Sequence, residues 1–192
     1  MNRCPWSEHP ELMEYHDSEW GVPVHDDRVH FEFLILESAQ AGLSWLTIMR
    51  KRKGYRRAFS DFDPERVARF DRAKIEALMQ NPEIIRNRRK IESAVKNARL
   101  FMDLQAEYGS FSSYLWGFVD GRPVVGEWKR QEDVPASTSL SERISKDLKK
   151  RGFTFIGPVI VYSHLQATGV VNDHVTDCFR FGEIRGRYYD HG

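Results

Sequence analysis

The feature that most constrains this chain is its punctuation. Residues that start and stop helices recur along nearly its whole length, and sustained strand-like alternation is scarce. Asp27 is placed to cap a helix running through Phe33, Leu34 and Ala41 toward Gly42, and Ser44 to cap the next, through Ile48 toward Tyr55. Asp63-Pro64 joins a cap to a proline at the first helical position, and Asp71 opens a short helix through Ile75 and Leu78. Pro82 precedes a long segment in which Ile84, Ile91, Val95, Ala98 and Phe101 keep near-helical spacing. Phe111 to Val119 reads as another helix, and the stretch from Asp120 to Pro135 as irregular. Ser139 and Glu142 are spaced as a capping box for a helix that runs to Arg151 and stops at Gly152. Val159 to Tyr162 has strand propensity, but Pro158 and Gly169 bracket it at helical length. The fold class is all-α.

The 192 residues are enough for one compact unit. Two lobes are expected, residues 1–25 with 136–192 against 26–135. No apolar run approaches the length of a membrane span, and Met1 to Trp6 lacks the order of a secretory signal. A cytoplasmic protein is the default expectation, and a monomer the default state. The net charge of +1 hides an asymmetry: nine acids and one base lie between Glu8 and Glu37. Basic clusters follow at Arg50 to Arg57, Arg86 to Lys90 and Lys146 to Arg151. Such clusters bind phosphate backbones, or simply form solvated helix faces.

Three local patterns carry chemistry. Cys4 and His16 lie near one end of the chain, His174 and Cys178 near the other. The second pair, four residues apart, would share a helical face, and two thiolates with two imidazoles suit tetrahedral zinc. A disulfide, or unrelated buried thiols, is the competing reading; a cytosolic setting argues against the disulfide. Lys149 to Pro158 joins two expected helices through Gly152 and Gly157, and free amides at the second helix's start would hold a phosphate. An ordinary helical turn reads the same way. Finally, Phe31 to Trp45 is nearly apolar all round, as buried helices are, yet contains Glu37. That carboxylate either points to solvent or is used. Trp6, Tyr15, Trp20 and Trp45 lie nearby in sequence, either as core or as aromatic walls for a flat, cationic ligand.

Taken together, Arg3-Cys4-Pro5-Trp6, Tyr15 to Pro23, Gln40 to Trp45, Asp61-Phe62-Asp63, Ile84-Ile85-Arg86 with Lys90-Ile91, Leu148 to Gly157 and Gly169 to Val175 resemble one family over residues 3 to 178. It is that of the constitutive bacterial 3-methyladenine DNA glycosylases, type I. The resemblance implies a helix-hairpin-helix glycosylase fold with a zinc-stapled lobe formed by the two termini. It implies one structural zinc on Cys4, His16, His174 and Cys178, and a base-recognising, catalytic Glu37. The base would lie among Tyr15, Trp20, Trp45 and Trp6. Double-stranded DNA would be held by the hairpin, Lys149, Lys150, Arg151, Gly152, Phe153, Thr154, Phe155, Ile156 and Gly157. Where many relatives in the wider superfamily carry a catalytic aspartate, two residues before the histidine, this chain has Asn172. Asp173 is expected to point elsewhere.

The activity so implied is DNA repair by base excision: N3-methyladenine is flipped out of alkylated DNA and its glycosidic bond hydrolysed, leaving an abasic site. No Schiff-base lysine is evident, so strand cleavage is not expected. Two rivals remain at this stage, a non-catalytic zinc-stapled DNA-binding module and a zinc hydrolase of small molecules. Four protein ligands argue against the second, because catalytic zinc keeps an open position.

Overall fold

The computed structural model describes residues 1–189. Ten helices occur among them: α1 (Pro10–Ser18), α2 (Asp27–Gln40), α3 (Trp45–Ala58), α4 (Pro64–Ala68), α5 (Arg72–Gln80), α6 (Arg88–Tyr108), α7 (Phe111–Trp116), α8 (Ser139–Lys150), α9 (Pro158–Ala167) and α10 (Phe179–Tyr188). The mostly helical class holds. One small addition is a pair of two-residue parallel strands, β1 (Val124–Val125) and β2 (Val171–Asn172), inside segments expected to be irregular or unassigned. Residues 190 to 192, the end of a tail to which the sequence assigned no role, lie outside the described residues.

α2 is the axis of the molecule. Its residues His30 to Ala39 are all buried, as an all-round apolar helix must be. Around it α3, α6, α7, α8 and α9 close one apolar core that includes Phe31, Phe59, Phe101, Phe111, Ile144 and Leu165. The strand-prone Val159 to Tyr162 is helical, as the bracketing Pro158 and Gly169 required.

Three helix starts differ from the sequence-based expectation, each for a local reason. The cap of α2 is Asp26, whose carboxylate accepts from the amides of Arg28 and Val29. Asp27 instead, half-buried, reaches the start of α7 and accepts from the amides of Phe111 and Ser112 at 2.9 and 2.8 Å, so it caps α7 from a distance. α8 is capped by Thr138, with Ser141 completing the reciprocal box. α6 begins only at Arg88, because Asn81 turns its side chain onto the Glu83 amide and the next competent cap is Asn87.

The two ends of the chain meet. The Phe179 amide donates to the Asn2 carbonyl at 3.0 Å, and Cys4, Val175 and Cys178 form a small buried cluster under Trp6, Trp20 and Phe179.

Candidate active site

The N-terminal turn with Trp6, α1 with Tyr15 and the Trp20 that follows it, and the start of α3 with Trp45 bring four aromatic rings to one cleft beside Glu37, on the last turn of α2. The cleft encloses about 630 Å³ up to its open mouth and is lined by Trp6, Tyr15, Trp20, Trp45 and Glu37, together with polar residues of α9. Tyr15 stands at its centre. Its ring lies 5.8 Å from Trp45 and 6.2 Å from Trp6, and Trp6 meets Trp20 edge-on at 5.0 Å. These are the separations of mutually supporting rings, so the walls are fixed before any ligand enters. Every base-contacting residue expected from the sequence is therefore in one place.

Glu37 is 4% exposed, and no hydrogen-bond or ion-pair partner for its carboxylate occurs among the described residues. The contrast with Glu32, one helical turn earlier and equally buried, is decisive. Glu32 accepts from Arg52 at 2.7 Å and from Arg56 at 3.1 Å, so its charge is paired. Glu37 is left facing the cleft, and burial alone pushes its carboxyl up to about 8. A buried acid with no protein partner is a site built for a partner that arrives.

Below the Trp20 wall lies a second constellation. One donor atom from each of Cys4, His16, His174 and Cys178 falls within 4.8 Å of all the others, and all four residues are buried. His174 Nδ1 is 3.5 Å from both sulfurs, and His16 Nε2 is 3.5 Å from Cys178 Sγ. The remaining ring nitrogens are already engaged: His16 Nδ1 with Asp17 at 2.8 Å, and His174 Nε2 with the Trp20 carbonyl at 3.0 Å. That is the outer support that ligating histidines carry. The cluster can hold a metal ion. Because Trp20 gives its carbonyl to His174 and its ring to the cleft, the cluster also fixes one wall of the cleft.

On a separate face, α8 and α9 are joined by residues 151–157. Gly152 turns the chain at φ +102°. Phe153 and Ile156 are buried anchors, and Asn97 holds Thr154 by both its amide and its carbonyl. Among the described residues, the amides of Phe155, Ile156, Gly157, Val159 and Ile160 meet no protein acceptor. Lys149, Lys96 and Arg89 border the groove beside this turn, with no ion-pair partner among the described residues.

Comparison with known proteins agrees with this geometry. The sequence profile of the methyladenine glycosylase family matches residues 6–181. The chain belongs to that family. It is 45% identical over 179 residues to the DNA-3-methyladenine glycosylase 1 of Escherichia coli, covering 93% of this chain and 96% of that one. A crystal structure of a 3-methyladenine DNA glycosylase I superposes with a TM-score of 0.89 at 46% identity, over 93% of this chain and 98% of the other. A variant of such an enzyme, crystallised with 3-methyladenine, gives a TM-score of 0.89 at 41% identity, over 93% and 96%. Membership establishes the expected enzyme class, a DNA glycosylase.

Within this family member, Asp173, Arg151 and the basic cluster of α3 behave otherwise than the sequence suggested. Asp173 does not point away: it lines the cleft, 2% exposed, held by the indole of Trp128 at 2.7 Å, the amide of Gln166 at 2.8 Å and the hydroxyl of Tyr162. Gly126 makes this possible, since any side chain there would strike Trp128 and Asp173. Arg151 does lie at the hairpin, but its guanidinium is bound to Asp147, Glu107 and the Tyr108 hydroxyl. The basic cluster at Arg50 to Arg57 is largely spent on the early acids: Arg50 on Glu11, Arg52 on Glu19 and Glu32, Arg56 on Glu32. The reading of the sequence also missed Gln40, Ser163 and Gln166, which line the cleft. A signal existed. Gln40 follows Glu37 by three residues on α2, and Ser163 and Gln166 are polar positions three apart on one face of α9.

Proposed function

We propose that this glycosylase extrudes N3-methyladenine from duplex DNA, seats it in the aromatic cleft against Glu37, and hydrolyses its glycosidic bond without cutting the strand. The observation that carries the reading is Glu37: buried, unpaired and ringed by Tyr15, Trp45, Trp20 and Trp6.

The chemistry follows from the charge on the base. N3-methyladenine in DNA is a cation, and ring faces attract a cation by about 0.5–2 kcal/mol each. An approaching cation also favours the ionised form of Glu37, which accepts hydrogen bonds from the purine edge and offsets the charge. Neutral adenine gains neither term, so selectivity arises without a bulky filter. The base is already a good leaving group. As the C1′–N bond breaks, its electron pair returns to the purine and neutralises it. Water adds at C1′ and gives its proton to solvent, leaving an abasic site. The carboxyl of Asp173, held at the wall of the same cleft by Trp128, Gln166 and Tyr162, is placed to favour the oxocarbenium-like sugar. The absence of lysine from the cleft lining among the described residues supports hydrolysis rather than imine chemistry.

DNA would reach the cleft through the hairpin. The unpaired amides of residues 155–157 and the start of α9 suit a backbone phosphate, with Lys149 and Lys150 adding charge. The expected two-lobe division, 1–25 with 136–192 against 26–135, would place the cleft between the lobes.

Zinc fits the terminal cluster. Zinc–sulfur bonds of about 2.3 Å and zinc–nitrogen bonds of about 2.0–2.1 Å, at tetrahedral angles, set sulfur and nitrogen about 3.5 Å apart; the cluster has three such separations of 3.5 Å. Bound there, zinc would staple the two ends of the chain and take no part in the chemistry.

The test is incubation of the pure protein with methylated duplex DNA, followed by chromatography of the released bases and gel analysis of the strands. Free 3-methyladenine with unbroken strands is expected. No released base, or base release with strand scission, would contradict the proposal.

A further inference from the structure

The hairpin is fastened to α6 as well as to its own two helices. The Thr154 amide donates to Asn97 Oδ1 at 3.0 Å, the Asn97 side chain donates to the Thr154 carbonyl at 2.9 Å, and the hydroxyls of Ser93 and Thr154 meet at 2.7 Å. Arg89, Ser93 and Lys96 are spaced to share one face of α6. The two cations on that face border an open groove together with Lys149, Thr154 and Phe155. The Lys96 ammonium also lies beside Gly152, the glycine that turns the hairpin.

The other end of this stretch of α6 reaches the rim of the cleft. Lys90, next to Arg89, donates to the carbonyls of Ala39 and Ala41 at 2.8 and 2.6 Å, where α2 ends. Gln40, between those two residues, lines the cleft, and so does Trp45 at the start of α3. Lys96 and Arg89 therefore lie in order along a helix that leads from the hairpin to the cleft. At 1.5 Å per residue they stand about 10.5 Å apart along its axis, roughly the axial rise of three base pairs.

Charge on this face is left free, whereas elsewhere it is spent. Every arginine of α3 is paired with a glutamate. On α6 itself, Arg88 is paired with Glu76, and Arg99 donates to the Ala68 carbonyl. Arg89 and Lys96 are exposed and meet neither an acid nor a carbonyl among the described residues. Glu92, which also borders the groove, lies 3.8 Å from Arg88.

We propose that Arg89 and Lys96 form a phosphate track, along which one strand of duplex DNA runs from the hairpin to the rim of the cleft. The inference rests on the reading of the hairpin as the element that holds DNA, and extends it by a helix. The track touches phosphates and reads no base. It holds the duplex against the mouth of the cleft, so it acts on affinity for DNA and leaves the base site alone.

The test is the affinity of the full-length protein for an unmethylated duplex, measured by fluorescence anisotropy over a series of salt concentrations. Arg89→Gln combined with Lys96→Gln should reduce the slope of log affinity against log salt by about 2, and weaken binding roughly 10- to 100-fold at about 0.1 M salt. KM for methylated DNA should rise, with kcat no lower and binding of free 3-methyladenine unchanged. Glu92→Gln, which removes an acid from the groove, should tighten duplex binding, an effect that damage to the fold cannot produce. Arg57→Gln, at a paired arginine of α3, should leave the slope as it is. A double variant with the wild-type slope, an equal loss from Arg57→Gln, or weaker binding by Glu92→Gln would overturn the track. If Lys149→Ala lowers the slope and the α6 pair does not, the hairpin reading stands and the track alone fails. A wild-type protein with no salt-dependent affinity for duplex DNA would overturn both.

Discussion

Replacing Glu37 with Gln should make the protein more stable while it removes base recognition, and the gain should depend on pH. The Glu37 carboxyl is buried without a counter-charge among the described residues, and burial raises it from 4.5 to about 8. Between those values the folded protein keeps a proton that the unfolded chain has released. Wild-type stability therefore falls as pH rises from 4.5 to 8 and levels off above. At pH 7 the interval travelled from 4.5 corresponds to a penalty of about 3 kcal/mol, with a ceiling of about 5 kcal/mol above pH 8. Glutamine has nearly the same shape and no charge, so it escapes the penalty. For a domain of this size about 1 kcal/mol moves Tm by 2–4 °C, so Glu37→Gln should melt roughly 6–12 °C higher at pH 7. It should match wild type near pH 4.5 and differ most above pH 8. Thermal and urea melts of both proteins at closely spaced pH values, at equal metal content, measure this directly. Parallel curves, or a variant less stable at every pH, would refute the claim that Glu37 is an unpaired buried acid.

Two further outcomes are expected. Cys178→Ala should lose its metal and several kcal/mol of stability, because the cluster ties both ends of the chain together; metal analysis and melting check this, and a metal-free variant of wild-type stability would contradict a structural role. Lys149→Ala should reduce the slope of log affinity against log salt for duplex DNA by about 1 and leave binding of the free base unchanged, as a phosphate contact requires.

Much of the site could be read in the sequence because its logic is local. Glu37 stands out as a charge inside an apolar helix, with Trp45 eight residues after it and Trp20, Tyr15 and Trp6 in the segment before it. The Cys/His cluster could be read from residue chemistry, although its outermost members, Cys4 and Cys178, are 174 residues apart. What escaped was set by tertiary contact. Asp26 and Asp27 are equally good caps on paper; only the approach of α7 assigns Asp27 to Phe111 and Ser112. The arginines of α3 look like a DNA-binding stripe until the fold brings Glu11, Glu19 and Glu32 against them. Asp173 looked misdirected by one residue. Its aim depends on Trp128, Tyr162 and Gln166, and on a glycine at 126 that lets the indole and carboxylate meet.

The most direct test is a crystal structure of the protein with free 3-methyladenine. The purine should lie between the rings of Tyr15 and Trp45, with the Glu37 carboxylate within hydrogen-bonding distance of its edge. A base lodged elsewhere, with Glu37 making no contact to it, would contradict the recognition mechanism.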